Sequence, residues 1–397
     1  MIDNEIKETE YKTVPKQVYK NYFFSLKKME SSVFTMNSIA RLTIFMLLIS
    51  TICYGQYSYT YSQPKELADG WKSNHIKSRG IDSTLIYKLF DQIKDANHKM
   101  HSVVLVKNNQ LVLEEYFNDY TANLPHDLRS TSKSIRSILL GIAIDKGFVD
   151  NVNDPISKYL KSPVPKKNLD GRKEEITIKH LLTMSSGLDC NDWDKKSKGQ
   201  EDKVYKKKDW IQYTLDLPMV NTPGEVSHYC SMGVILMTEI ISQTSGMSIN
   251  EFADKFLFSP LGIDNVKWEH TSDKEVIASG KRIYMTPRNM AKIGQLVLNK
   301  GNWNESQIVS KKWIEESTTP KTKITGIDYC YLWWNIPFTL EGKTIISKTA
   351  TGNGGQYIFV IPEIELVAIF TGGAYNSQDD KLAFAIMKDI ILPSIKY

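Results

Sequence analysis

Apolar positions between Arg129 and Gly147 recur with helical spacing: Ile135, Ile138, Leu139 and Ile142 stand at i, i+3, i+4 and i+7. The stripe predicts a helix over 129–147. Ser130 and Thr131 open it, and Gly147 suits the left-handed position that ends one. A second helical stripe, Leu85, Leu89 and Ile93, runs through Ser83–Ala96. Between the two, the period changes. Ser102–Phe117 holds two Val/Leu runs about Asn108-Asn109, a pair that tolerates the positive φ of a tight turn, so it predicts a β-hairpin. Further helices are predicted at Thr177–Leu188, ending at Gly187, and at Val234–Thr244, with Ile235, Met237, Ile240 and Ile241 inward. Two more follow at Asn250–Ile263, stopping before Pro260, and at Thr286–Leu298, with Thr286 as N-cap and Pro287 in the first turn. Apolar runs at 344–348, 357–361 and 366–371 predict strands near the C-terminus.

The longest apolar run, 42–53, is too short at twelve residues to span a bilayer and matches the core of a signal peptide. Arg41 precedes it, and Cys53-Tyr54-Gly55 offers small residues for cleavage after Gly55. Met36 would give this leader a normal short basic start. The expected organisation is therefore a targeting region over 1–55, an N-terminal extension over 56–98 and one large domain over 99–397. The expected product is exported, with no stable membrane span. Composition is that of an ordinary globular chain, and a net charge of +5 in 397 residues argues against nucleic acid or an anionic membrane as the main partner. Cys190, Cys230 and Cys330 remain after the leader. An odd number at wide spacing gives no disulfide framework, so free buried thiols are expected, with Cys230 beside the candidate site. The lysine-rich stretch 195–209 reads as a solvated surface loop.

Three constellations carry candidate chemistry. Helical geometry sets Lys133 one turn from Ser130 on the same face, at a helix end that favours developing negative charge. Serine needs a neighbour to take its proton, and a lysine serves when burial or nearby charge lowers its pKa. The pattern alone is weak, since Ser25/Lys28 and Ser62/Lys65 repeat it. The second constellation is Tyr229-x-Ser231, after the Pro223-Gly224 turn. Tyr229 is the expected proton-transfer partner, with His228 its local competitor. The third is Ala350-Thr351-Gly352-Asn353-Gly354-Gly355, a glycine-rich turn between strands. Tyr357 stands where the last glycine of Gly-x-Gly-x-x-Gly would be, which disfavours a nucleotide loop. His180, inside a Leu-rich helix, reads as a buried histidine bonded to backbone rather than as a base. The aromatics of Tyr329–Trp334 suit either a cleft wall or the core.

In this order the segments resemble the penicillin-recognising serine hydrolases, nearest the branch of class C β-lactamases, D-alanyl carboxypeptidase/esterases and 6-aminohexanoate-dimer hydrolases. Thr177–Leu188, Phe258–Ile263 and Thr286–Leu298 resemble non-catalytic segments of that family. The resemblance implies an α+β fold. An antiparallel sheet flanked by helices is formed by the two ends of the chain, and a mostly helical lobe over about 150–255 is inserted between them. It also implies a Ser130 acyl-enzyme activated by Lys133 and Tyr229, with an oxyanion held by the backbone N–H groups of Ser130 and Asn353. Substrate would lie along Thr351 and Gly352, with Ser231 where the family carries Asn or Ser. No metal or organic cofactor is implied, and the partner is a small molecule or a short peptide or ester. The cation usual on the strand is missing at Ala350–Gly352, which argues against penicillins as substrates. The alternative is a non-catalytic envelope protein that binds peptidoglycan peptides or a protein in the same cleft.

Overall fold

A computed structural model describes residues 59–94, 98–269 and 278–396. The apolar run 42–53, Met36, Cys53 and the cleavage position at Gly55 lie outside them. The described residues divide into two compact units. In the smaller, 59–61 with 84–98, Tyr59 rests on Phe90 and Tyr87 of the helix Ser83–Lys94, with ring centroids 4.8 and 5.6 Å apart. The larger takes in Ser62–Ser83 and all that follows Lys99. Residues 62–83, grouped with the extension in the sequence, thus pack with the large domain. Among the described residues no helix is long and apolar enough to cross a membrane.

The predicted hairpin is present as β1 (Met100–Lys107) and β2 (Gln110–Tyr116), and Asn108 and Asn109 take φ of 52° and 60° at its turn. The last third of the chain adds β3 (Thr322–Ile324), β4 (Ile327–Tyr329), β5 (Trp334–Leu340), β6 (Lys343–Gly352), β7 (Gln356–Ile361) and β8 (Leu366–Gly372). All eight form one antiparallel sheet in the order β2-β1-β8-β7-β6-β5-β4-β3. The two ends of the domain meet where β1 pairs with β8, Val103 opposite Phe370 and Val104 opposite Ile369. Central strands β7 and β8 are buried along their whole length, because both faces of the sheet are covered.

Three helices build the layers that matter for the site: α1 (Thr131–Asp145), α2 (Ser231–Ser245) and α3 (Pro287–Leu298). Helix α3 packs on β1, β7 and β8. A side chain at Gly294 would come within 2.5 Å of Val367, so the bare backbone sets how closely helix and sheet approach. Helix α1 lies against β6, β7 and α2, and every residue from Thr131 to Ala143 is buried. Residues 150–255 contribute helices and turns and no strand to any sheet. Within them the sequence overstates two helices. The one opened by Thr177 stops at Leu182, short of Gly187, and the one expected over 250–263 is α-helical only over Ile249–Ala253 before tighter and wider turns carry it to Gly262. Local polar caps end these turns before the apolar period does.

Arg288, at the start of α3, ties the lead-in to the hairpin. Its guanidinium bonds Glu114 of β2 at 2.5 Å and Asp69 at 2.9 Å, with Arg288 and Glu114 both nearly buried. Arg288→Met leaves the Glu114 carboxylate buried without its partner. We expect a loss of about 3 kcal/mol in urea unfolding, because removing one member of a buried pair strands the other. A loss below about 1 kcal/mol would show that solvent reaches Glu114.

Candidate active site

The nucleophile candidate is set by a sharp turn. Arg129 has φ 49°, uncommon for a residue with a side chain, and its N–H donates to Asp127 Oδ1 at 3.0 Å. Ser130 follows as N-cap of α1 without using its own hydroxyl for the cap. Thr131 Oγ1 donates to the Gln356 carbonyl at 3.0 Å, pinning the helix start to β7. One turn on, Lys133 Nζ donates to Ser130 Oγ at 2.8 Å, and Lys133 is only 7 % exposed. The spacing therefore delivers the contact that the sequence argument required.

Tyr229 meets Lys133 with its ring, Nζ standing 4.9 Å from the centroid, a cation–π distance. Trp193 stacks on the same ring at 4.9 Å and 0°, Trp334 lies 6.1 Å away, and Tyr329 meets it edge-on. Of the Tyr329–Trp334 aromatics, all of which are buried, two thus also frame Tyr229. His180 is neither base nor buried. It is half-buried and closes a capping box, accepting from the Thr177 N–H while its own N–H donates to Thr177 Oγ1.

Ser130, Lys133, Ser231 and Asn353 line one cleft of about 610 Å³, open to solvent. Asn353 is fixed by a reciprocal pair with Asn376: its Nδ2 donates at 2.7 Å and its Oδ1 accepts at 2.9 Å. Thr351 and Gly352 pair with Tyr357 and Gln356 where β6 and β7 end. A Cβ on Gly352 would fall 2.5 Å from the Leu128 carbonyl, so glycine alone lets the strand pass the turn that carries Ser130. Ser231 is committed inward, its N–H and hydroxyl both donating to Asp192 Oδ2, at 2.8 and 2.7 Å.

Two findings correct the sequence reading. Cys190 and Cys230 form a disulfide, Cα atoms 5.4 Å apart, and only Cys330 among the described cysteines is a free buried thiol. Forty residues separate the bonded pair, and tertiary contact rather than spacing brings them together. The stretch 195–209 is not simply a solvated loop, for Glu201 and Tyr205 line the cleft and Tyr205 donates to Glu201 at 2.7 Å.

The sequence also missed Asp192. Beside the disulfide, its N–H donates to the Tyr229 carbonyl at 2.8 Å, its Oδ2 receives Ser231, and its buried Oδ1 has no partner. Burial pushes its pKa up to about 6, helped by Glu201 and opposed by Lys133 and Ser231. Since the folded value lies above the ordinary 3.8, the fold binds the extra proton between those two pH values. Stability from this group is present at low pH and is lost as pH rises through about 6. We expect Asp192→Asn to flatten the fall in unfolding free energy between pH 4 and pH 6, a fall of at most about 3 kcal/mol, in urea melts across that range. An unchanged slope would assign the fall to other groups.

Comparison with known proteins follows the geometry. A family model described as Beta-lactamase matches residues 89–389. An uncharacterized protein of Alkalihalophilus pseudofirmus is 23% identical over 357 residues, 80% of this chain and 95% of that one. Protein flp of Staphylococcus aureus (strain N315) is 24% identical over 185 residues, 44% of this chain and 35% of its own length. Among solved structures, a Bacillus anthracis protein provisionally assigned as a 6-aminohexanoate-dimer hydrolase superposes with TM-score 0.62 at 20% identity, covering 86% of this chain and 92% of that one. The octameric penicillin-binding protein homologue of Pyrococcus abyssi gives 0.60 at 18% identity, covering 78% and 79%. These likenesses agree with the α+β architecture.

Proposed function

Because the chain belongs to the β-lactamase family of serine hydrolases, we propose that it cleaves an amide or ester bond through an acyl-enzyme on Ser130. One observation carries this reading: the 2.8 Å hydrogen bond between Lys133 Nζ and Ser130 Oγ. Ser130 attacks the carbonyl as Lys133 accepts its proton. Charge gathers on the carbonyl oxygen, where the backbone N–H groups of Ser130 and Asn353 receive it. The proton returns to the leaving group by way of Tyr229, and water then clears the acyl group by the same route. Ser231, bound to Asp192, supports the loop and is not free for substrate, in keeping with amides and esters other than penicillins. An exported protein fits both the apolar run at 42–53 and the Cys190–Cys230 bond, since such bonds persist in oxidising compartments. The test is mass-spectrometric mapping of a fluorophosphonate adduct on the native protein. The adduct is expected on Ser130, and an adduct on another residue, or none, overturns the proposal.

A further inference from the structure

We infer that the cleft is built for a substrate carrying a carboxylate, which the Arg136 guanidinium receives. The inference rests on the hydrolase reading of the same cleft and adds a substrate class to it. Arg136 stands on α1 six residues beyond Ser130, is 6 % exposed and lines the cleft. Its Nη1 donates to Ser132 Oγ at 2.7 Å and its Nη2 to the Lys281 carbonyl at 2.6 Å, while its buried Nε has no partner. Among the described residues no carboxylate lies within 4 Å of it. Burial lowers its pKa only to about 10, so the charge stays on near neutral pH. A buried cation bonded to neutral oxygens alone is costly, and an anion arriving through the cleft would complete it with a charge-assisted bond.

The rest of the wall is biased the same way. Arg129 and Arg282 also line the cleft, and both lean on a single carboxylate, Asp127, at 3.8 and 3.0 Å. Glu201 is the acid in the lining, and it already accepts from Tyr205 and Ser231. Val234 and Ile235 of α2 supply an apolar flank. Six residues of helix span about 9 Å, so a short methylene spacer links a carbonyl at Ser130 to a carboxylate at Arg136.

The test titrates the full chain calorimetrically with adipate and with neutral 1,6-hexanediol. In parallel, kcat/KM is compared for mono-p-nitrophenyl adipate and p-nitrophenyl hexanoate, which differ by one terminal carboxylate. Adipate is expected to bind, more weakly at high salt, and the diol not to. The carboxylate ester should lead by at least tenfold, a lead that Arg136→Gln removes and Arg136→Lys partly keeps. Should Arg136→Gln fail to fold, the salt dependence on the native chain still decides. Adipate binding no better than the diol, with Ser130 still labelled by fluorophosphonate, overturns the carboxylate subsite and spares the hydrolase. Adipate binding without any labelling does the reverse. A lead that survives Arg136→Gln removes Arg136 from the role.

Discussion

Lys133→Ala lowers kcat/KM for a neutral ester by about 10³-fold, the middle of the range for losing a positioned general base. Ser130 has no other side chain bonded to its oxygen, and Lys133 reaches it from one helical turn away inside a buried wall. Lys133→Arg separates the two things a lysine could supply. A guanidinium keeps the charge against the Tyr229 ring but cannot take a proton, so it should lose as much activity as alanine. Steady-state kinetics with melting curves for both variants check this. Recovery by arginine to within tenfold of the native rate would mean that the residue acts as a fixed charge, and the base would have to be sought elsewhere.

Breaking the Cys190–Cys230 bond has the second large effect. The closed loop of about forty residues corresponds to about 4 kcal/mol of unfolded-state entropy, or roughly 5 °C in Tm for a chain this long. Activity should fall as well, because the bond is one of four attachments joining 190–193 to 229–231. The others are the Asp192 N–H on the Tyr229 carbonyl, the Trp193 ring on Tyr229, and the Asp192 carboxylate on Ser231. Cys230 also caps α2, its sulfur accepting from the Gly233 N–H at 3.3 Å. Dithiothreitol, or Cys190→Ser, is expected to lower kcat about tenfold while KM for a small ester changes little. Native activity and Tm after complete reduction would mean that the remaining three attachments suffice.

What the sequence discloses of this protein depends on how local the cause is. The hairpin is legible because its turn chemistry and alternation lie within sixteen residues, and the structure takes it up nearly residue for residue. Ser130 and Lys133 are legible for the same reason, one turn of helix being a fixed distance. The stripe Ile135–Ile142 still understates its helix, which is buried on every side because sheet and lobe both cover it. Asp192, Glu201 and Arg136 could not be singled out. A lone acid in a polar stretch carries no period, and a cation within an apolar helix looks like a surface position until its neighbours are known. The disulfide is the signal that could have led to Asp192. Pairing Cys190 with Cys230 would have drawn Asn191–Trp193 alongside Tyr229.

The pairing of β1 with β8 bears on when this chain becomes chemically competent. During synthesis the serine and the lysine emerge early, on a helix whose covering strands have yet to be made. Until residues near 370 leave the ribosome, the first hairpin has no neighbour on its inner side, and α1 has no floor. Such closure of distant segments is slow, so the growing chain stays loosely organised for most of its translation. Reactivity at Ser130 is thus withheld until the final strand slots in.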